Sequence, residues 1–253
     1  KAQGDYKEQY DYKFKNYSDL MLNYNKTFNN FDVKATVGLN NNTEKYRNSF
    51  ATTNYLIIPG LYNLSNTQSP VQPTNYNSHF ETNSMYGSID MSYKSFLFLG
   101  ATGRYDTDSR LPKQNNTFFY PSVGVSAVLS EVVNIPHVDY LKVRSSYAKV
   151  GGSLDIYSNQ DTYRLRNPFT INGATYSAAY VGEILSNSNL EPAFNSSIEI
   201  GLETKMFKNR FGFDFTYYEN TNGPQIFDLK YSETSGYLGS KQNGITTKTK
   251  GAE

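Results

Sequence analysis

The segment Tyr157–Tyr180 has the clearest capacity for binding chemistry, being polar and rich in tyrosine, asparagine and serine. Aromatic rings at four of its positions can stack on sugar rings or on peptide side chains. Two arginines between them can each hold a carboxylate through paired hydrogen bonds. The candidate ligand or partner contacts are Tyr163, Arg164, Arg166, Phe169, Tyr176 and Tyr180. The alternative is that these side chains pack the segment onto itself or dock a partner protein.

The sequence contains no pattern that supports covalent catalysis. It has no G-x-S-x-G or H-E-x-x-H motif and no glycine-rich phosphate-binding loop. The absence of cysteine excludes disulfides, thiolate metal sites and a cysteine nucleophile. We therefore expect a protein that is not an enzyme and that holds neither a metal nor a cofactor.

A short acidic segment and two histidines are the remaining candidates for metal binding. Asp106, Asp108 and Ser109 offer oxygen ligands, but a third spaced acidic ligand and the glycine of a calcium loop are missing. We therefore expect a solvated loop here, with Arg104 pairing with Asp106 at the edge of a sheet. His79 and His137 stand alone in the sequence, so neither is expected to bind a metal.

Composition limits the class of fold that can carry these residues. The chain has 253 residues, of which 38% are hydrophobic and 15% aromatic, and its mean hydropathy is −0.62. Such a chain is too aromatic for disorder and suits a sheet with one apolar and one polar face. A net charge of +1 gives no electrostatic argument for nucleic acid as a partner.

Alternating residues predict long antiparallel strands that position the binding segment. Between Phe31 and Asn40, apolar residues at odd positions face polar residues at even positions, the period of a half-buried strand. Phe96–Leu129 reads as two ten-residue apolar runs around a polar tip, the length that a tilted strand needs to cross a bilayer. Strands are predicted over residues 18–28, 31–40, 80–94, 96–106, 119–129, 141–150, 197–207 and 211–218. For Tyr6–Asn16 the sequence is compatible with either an extended strand at the rim or a loop.

The predicted connections alternate between short and long. Asn29-Asn30, Lys94-Ser95 and Lys208-Asn209 make tight turns, whereas the connections at about 44–78, 106–117 and 151–195 are long. In an up-and-down sheet, alternate connections share one edge, so the short turns gather at one edge and the long loops at the other. Outer-membrane barrels show this asymmetry, with short periplasmic turns and long extracellular loops.

The two faces of the predicted strands suit a bilayer on one side and water on the other. The apolar face includes Val33, Leu99, Val125 and Phe213, which we expect to contact lipid. Charged residues of both signs share the opposite face, which suits a watery lumen because burying them unpaired would be costly. These lumen residues are Asp32, Lys34, Asp90, Glu199, Glu203, Lys205 and Asp214.

Short motifs along nearly the whole chain resemble the barrel of the SusC/RagA family of TonB-linked outer-membrane transporters. They are spread in order and with similar spacing. The matching segments are Leu20–Phe28, Ile58–Leu64, Tyr86–Lys94, Ala101–Asp106, Phe119–Val123, Leu129–Glu131, Leu141–Gly151, Asn189–Pro192, Asn209-Arg210, Tyr217-Tyr218 and Lys250–Glu253. Asn189–Pro192 departs from the family pattern, because it lacks the aromatic-acidic pair that often follows.

The resemblance implies an all-β fold, an antiparallel up-and-down transmembrane β-barrel of about 22 strands, of which residues 1–253 form an arc. It also implies import of oligosaccharides or peptides across the outer membrane of a Gram-negative bacterium, driven through TonB, with a SusD-like surface lipoprotein as lid. The expected partners are thus outer-membrane lipid, TonB, this lipoprotein and a glycan or peptide substrate. The matching segments include no plug domain and no TonB box, so the chain is expected to be a partial barrel domain.

Two other functions remain open from the sequence. One is a passive or structural outer-membrane barrel, which a plug and TonB box in the parent would argue against. The other is a secreted soluble β-sandwich that binds glycans. In a sandwich the apolar stripes would be sealed between two sheets, whereas in a barrel they would be exposed.

Overall fold

The computed structural model describes residues 4–71, 73–159, 161 and 163–253, with the side chains of all of these except 164, 166 and 167. About two thirds of these residues are in β-strands and the regular structure is otherwise limited to short 3-10 turns, which confirms the predicted all-β class. Single turns of 3-10 helix occur at Lys113–Asn115, Leu129–Glu131 and Glu233–Ser235. No helix in these ranges is long and apolar enough to cross a bilayer. The strands are β1 Lys7–Phe28, β2 Phe31–Thr52, β3 Thr74–Tyr93, β4 Leu97–Asp108, β5 Thr117–Val128, β6 Val138–Gly152, β7 Tyr163–Ile171, β8 Ala174–Val181, β9 Ile184–Leu185, β10 Ala193–Met206, β11 Phe211–Lys230 and β12 Gly239–Ala252.

The strands form one large sheet and one small one. The large sheet has ten strands in the order β1-β2-β3-β4-β5-β6-β10-β11-β12-β9, and the small sheet is the hairpin β7-β8. Nine of the ten therefore follow chain order, as an up-and-down arrangement requires. The last strand, β9, pairs with β12 in parallel through Gly239 and Ser240. The sheet ends at β1 and β9 and does not close on itself.

The tight turns have the backbone conformation that the sequence predicts. Asn29, at the β1–β2 turn, has φ of 51°, and Lys94 and Ser95 have φ of 46° and 57°. Positive φ at the central residues matches the right-handed twist of the flanking strands, which ordinary turns would splay apart. The β10–β11 turn goes further, because Phe207, Lys208 and Asn209 all have positive φ.

Several strands are longer or more numerous than predicted. β1 begins at Lys7, so nearly all of Tyr6–Asn16, for which the sequence allows a strand or a loop, is strand. β2 continues through residues 44–52, where the sequence predicts a loop. The long connection after β6 contains the hairpin β7-β8 and the short β9, and β12 was not predicted. The missed segments carry polar residues on both faces, so they lack the apolar alternation that reveals a strand.

Two compact units make up the chain, Lys1–Ser18 with Asn41–Thr82, and Asp19–Asn40 with Asn83–Glu253. Polar cross-strand contacts organise the first unit. Tyr46 Oη and Asn48 Nδ2 donate to Asp11 Oδ1 at 2.6 and 2.7 Å. Lys13 and Lys15 hold Glu44 between them. Such contacts stabilise a strand pair without an apolar stripe.

The second unit places the predicted charged face along a groove of about 850 Å³. Within the groove Arg144 of β6 reaches across β10 to β11, donating to Asp214 Oδ1 at 2.8 Å and to Thr216 Oγ1 at 2.6 Å. Its guanidinium lies over Gly201, where an added Cβ would come within 2.7 Å of Cζ. Four of the seven predicted lumen residues, Asp32, Lys34, Asp90 and Glu199, line this groove, and Asp214 pairs with Arg144. The charged lining residues are Lys26, Asp32, Lys34, Asp90, Lys142, Arg144 and Glu199.

The opposite face of the same strands is apolar and uncovered. Leu99, Val125 and Phe213 are each between 40% and 48% exposed, and Val33 is partly exposed. A sandwich would have sealed this stripe against a second sheet, so the exposure argues against that alternative. Buried apolar side chains gather elsewhere in this unit, around the long connections. This loop core consists of Leu111, Phe118, Leu154 and Leu190, with Tyr120, Phe194 and Ile226 packed against it.

Candidate ligand-contact hairpin

The predicted contact segment folds as the hairpin β7-β8, which the sequence analysis had treated as loop. Asn172 and Gly173 form its turn with φ of 51° and 80°, the positive values that a tight hairpin requires. Thr170 and Thr175 pair beside the turn with their hydroxyl oxygens 3.2 Å apart. A register shift lies between Arg166 and Phe169, so the hairpin is irregular at its centre.

Three of the candidate aromatics share one face of the hairpin, and two of them are in contact. The rings of Phe169 and Tyr176 stack with centroids 5.8 Å apart and planes inclined by 26°. Tyr180 lies four residues along β8 from Tyr176, hence on the same face, and is half-buried. Phe169 and Tyr176 are both about half exposed. The stacked pair therefore presents a flat apolar surface to solvent.

The other three candidates are separated from that surface or cannot be placed on it. Tyr163 pairs with Val181, next to Tyr180 on β8, so it projects from the opposite face. It is 79% exposed. The backbones of Arg164 and Arg166 pair with Tyr180 and Ala178, but their side chains lie outside the described part of the structure. The site that the described residues support is thus Phe169, Tyr176 and Tyr180.

Two polar contacts hold the base of the hairpin together. The Ser186 hydroxyl and amide both donate to the Asp161 carboxylate, at 2.6 and 3.1 Å. Asn159 and Asn187 exchange side-chain and backbone hydrogen bonds, each of 2.7 Å. The hydrogen bonds from Ser186 lower the pKa of Asp161 below its ordinary value. We call these four residues the base clamp.

The segment after the clamp joins the hairpin to the strands of the large sheet. Asn187 Nδ2 donates to Lys241 O at 3.0 Å, and Glu191 and Asn243 exchange two hydrogen bonds of 2.8 Å. Gln114, from the β4–β5 connection, donates to Ser188 O. Leu190 at the centre is fully buried. This anchoring role was not predicted, although Asn189–Pro192 stood out as part of the family resemblance.

The acidic tip differs from its prediction in one respect. Arg104 pairs with Asp106 at 2.7 Å, as expected. Asp106 and Asp108, however, are 7% and 1% exposed and not solvated, because Arg104 and Arg110 pair with them at 2.7 and 2.6 Å. The prediction of a solvated loop was wrong here, since a cation two residues away offsets the cost of burial.

The other long loop, residues 53–73 of the first unit, has a polar core of its own. Asn66 is buried and donates to Ile58 O and Leu61 O at 2.9 and 2.7 Å, while Ile58 N–H donates to its Oδ1 at 3.0 Å. These bonds fold the segment into a compact loop. Ile57, Ile58 and Tyr62 remain more than half exposed on it, which makes it a second candidate contact surface.

Comparison with known proteins gives a consistent result across the whole chain. Residues 2–253 match the family model described as TonB dependent receptor-like, beta-barrel. TonB-dependent receptor P26 of Formosa agariphila is 30% identical over 200 residues, covering 77% of this chain and 20% of that protein. TonB-dependent receptor P3 of the same organism is 23% identical over 241 residues, covering 93% and 24%.

Solved structures show the same fold at low identity. A chain in the structure of the RagAB peptide transporter matches with a TM-score of 0.83 and 18% identity, over 97% of this chain and 28% of that one. The RagAB importer in its closed-closed state gives a TM-score of 0.84 at 17% identity, with the same coverage. The chain thus spans about a quarter of the length of the relatives that it matches.

Proposed function

The chain belongs to the TonB dependent receptor-like β-barrel family, and on that premise we propose that it forms part of the wall of an outer-membrane importer. The importer takes up oligosaccharides or peptides, with energy delivered through TonB by parts of the protein beyond this segment. It resides in the outer membrane of a Gram-negative bacterium. The observation that carries the proposal is the family match, which extends from residue 2 to residue 253.

The faces of the second unit support transport through a lumen. Charged residues of both signs line one face of its strands, and the uncovered face is apolar. Alternation of this kind distinguishes a barrel that encloses water within a bilayer. The wall binds and guides its cargo and performs no covalent chemistry.

The hairpin β7-β8 is the part of the wall proposed to contact cargo or a lid. Stacked aromatic rings bind sugar rings and peptide side chains alike, since both present flat or apolar surfaces. The partner proposed for the lid is a SusD-like surface lipoprotein. The RagAB proteins are described as a peptide transporter or importer, which makes peptides the first substrates to test.

The test is uptake by the full-length protein with both stacked rings removed. We expect Phe169→Ala with Tyr176→Ala to raise the half-saturating substrate concentration about tenfold, equivalent to about 1.4 kcal/mol of lost binding. The matched control is Tyr163→Ala, on the opposite face of the same hairpin, which should leave uptake unchanged. Equal effects of the two variants would assign the hairpin a structural role.

The passive-barrel alternative makes a separate prediction. Uptake in cells that lack TonB should fall to the background of a strain without the gene. Uptake that continued without TonB would overturn active import, whatever the hairpin variants show.

A further inference from the structure

A patch of exposed apolar side chains lies in connections of the second unit that are not strand. The β5–β6 connection contributes Val132, Val133 and Ile135, which are 60%, 53% and 36% exposed. The β10–β11 turn contributes Phe207, which is 55% exposed. We call these four residues the edge patch. Large apolar groups in turns are unusual, because turns favour small and polar residues.

Hydrogen bonds and ring stacking hold the two parts of the edge patch together. The Phe207 amide donates to His137 O at 3.0 Å, and the two rings stack with centroids 5.7 Å apart. The Asn209 amide donates to Asp139 Oδ2 at 2.9 Å. His137 and Phe207 both have positive φ, which a bulky residue adopts only where surrounding contacts impose it. The patch is therefore a built surface rather than a loose loop.

The edge patch continues the apolar face of the strands that it connects. β5 reaches it through Val123 and Val125, and β10 through Ile198 and Ile200, all of which are exposed. Both connections belong to the edge that has the short turns. In an outer-membrane barrel this edge faces the periplasm, at the level where the inner leaflet ends.

Charge complements the apolar surface at the same edge. Lys208 and Arg210 follow Phe207 directly, are exposed, and make no ion pair with the described residues. Of the acidic neighbours, Asp139 is held by Asn209, and Glu131 is exposed. Apolar side chains beside cations are suited to the boundary between acyl chains and phosphate headgroups.

We propose that the edge patch inserts into the headgroup boundary of the inner leaflet, with Lys208 and Arg210 against lipid phosphates. Its partner is phospholipid, and anionic phospholipid is preferred. The patch anchors this part of the wall at a fixed height in the membrane. This inference rests on the proposed membrane location but on no substrate or transport step.

The experiment is site-specific photocrosslinking of the full-length protein in phosphatidylethanolamine vesicles that contain a minority of phosphatidylglycerol. Val133→p-benzoylphenylalanine should give phospholipid adducts, detected by mass spectrometry on the peptide that carries it. Val123→p-benzoylphenylalanine, on the apolar face of β5, is the positive control. Asn30→p-benzoylphenylalanine, in the polar β1–β2 turn at the same edge, is the matched negative control. Val132 replaces Val133 if that variant does not assemble.

The outcomes separate this inference from the membrane location. Adducts at Val123 and Val133 but few at Asn30 support the edge patch. An adduct yield at Val133 no higher than at Asn30 overturns it while the Val123 adduct keeps the barrel in the membrane. Phosphatidylglycerol should be enriched in the Val133 adducts by roughly fivefold for each basic side chain involved. Lys208→Gln with Arg210→Gln should remove that enrichment, and its persistence would overturn the role of the two cations.

Discussion

Asp108 shows how a single charged residue can be buried at a strand end. Arg110 supplies both an ion pair and hydrogen bonds within two residues. The Asp108 side chain is nearly inaccessible, whereas a quarter of the Arg110 side chain stays exposed. The pair thus buries its carboxylate while it keeps its cation partly solvated.

Removing the cation should be more damaging than its exposed position suggests. We expect Arg110→Ala to lower the free energy of unfolding by about 3 kcal/mol, because it leaves a buried carboxylate without its main compensating charge. The measurement is urea-induced unfolding of the full-length protein in lipid vesicles. Lys113→Ala, which removes an exposed cation from the same connection, should change the stability by less than about 0.5 kcal/mol. A similar loss in both variants would contradict this account.

Individual residues were predictable where a simple rule applied to them. The Arg104–Asp106 pair and the turn at Asn29 followed from local charge and from the tolerance of asparagine for positive φ. The burial of Asp108 did not follow from its polar surroundings in the sequence, because it depends on the Arg110 side chain folding over the carboxylate. The opposite orientation of Tyr163 depends on hairpin register, which the sequence around Tyr157–Tyr180 leaves open.

At the scale of elements, the base clamp joins the two ends of the segment that contains the hairpin β7-β8. Residues 159 and 161 meet residues 186 and 187, so the clamp fixes both ends of the excursion. Hydrogen bonds to Lys241 and Asn243 then tie it to β12. The clamp therefore joins the two ends of the segment that carries the stacked rings.

Acid should loosen the hairpin through Asp161. Its pKa is lowered by Ser186, so the contact stabilises fully above the ordinary aspartate value and is lost as pH falls through the lowered one. We expect hydrogen exchange in residues 163–181, corrected for intrinsic rates, to be constant between about pH 5 and pH 8 and to rise below about pH 4.

An amide at the same position should reproduce part of the acid effect at neutral pH. Asp161→Asn keeps the shape but weakens the bonds from Ser186, so exchange in the hairpin should accelerate at pH 7. Asp155→Asn, which alters an exposed carboxylate outside the clamp, is the control. Unchanged exchange in Asp161→Asn would show that the clamp does not depend on the charge.

The elements themselves divide into those that a sequence pattern reveals and those that it does not. Strands with an apolar face, such as residues 31–40 of β2, were predicted closely. The extension of β2 through residues 41–52 and the whole of β12 were missed, because polar cross-strand contacts such as Glu44 with Lys15 stabilise them in place of an apolar stripe.

At the scale of the whole molecule, the two faces of the second unit agree with the barrel family to which the chain belongs. Water-facing charges and exposed apolar side chains alternate along the same strands. The chain therefore needs two different surroundings, and no single solvent suits both faces. This explains how a chain with mean hydropathy of −0.62 can form a membrane wall.

A charge on the apolar face should prevent assembly, whereas the same charge on the other face should not. We expect Val123→Arg to destabilise the folded, inserted state by about 2–4 kcal/mol, the cost of arginine near the bilayer midplane. Ser122→Arg, one residue away and facing the polar side near Asp106, should cost much less. The measurement is the fraction of full-length protein that folds into lipid vesicles across a urea series. The reverse order would exchange the assignments of the two faces.

Arg144 lying across Gly201, like Tyr86 across Gly38, has an evolutionary consequence. Each of these side chains lies over a glycine of the neighbouring strand, in space that a Cβ would otherwise occupy. A shift of two residues between the strands would place Arg144 or Tyr86 over a residue that has a Cβ, so the glycine favours one strand register. In relatives, a larger residue at the position of Gly201 or Gly38 should accompany a smaller one at the position of Arg144 or Tyr86.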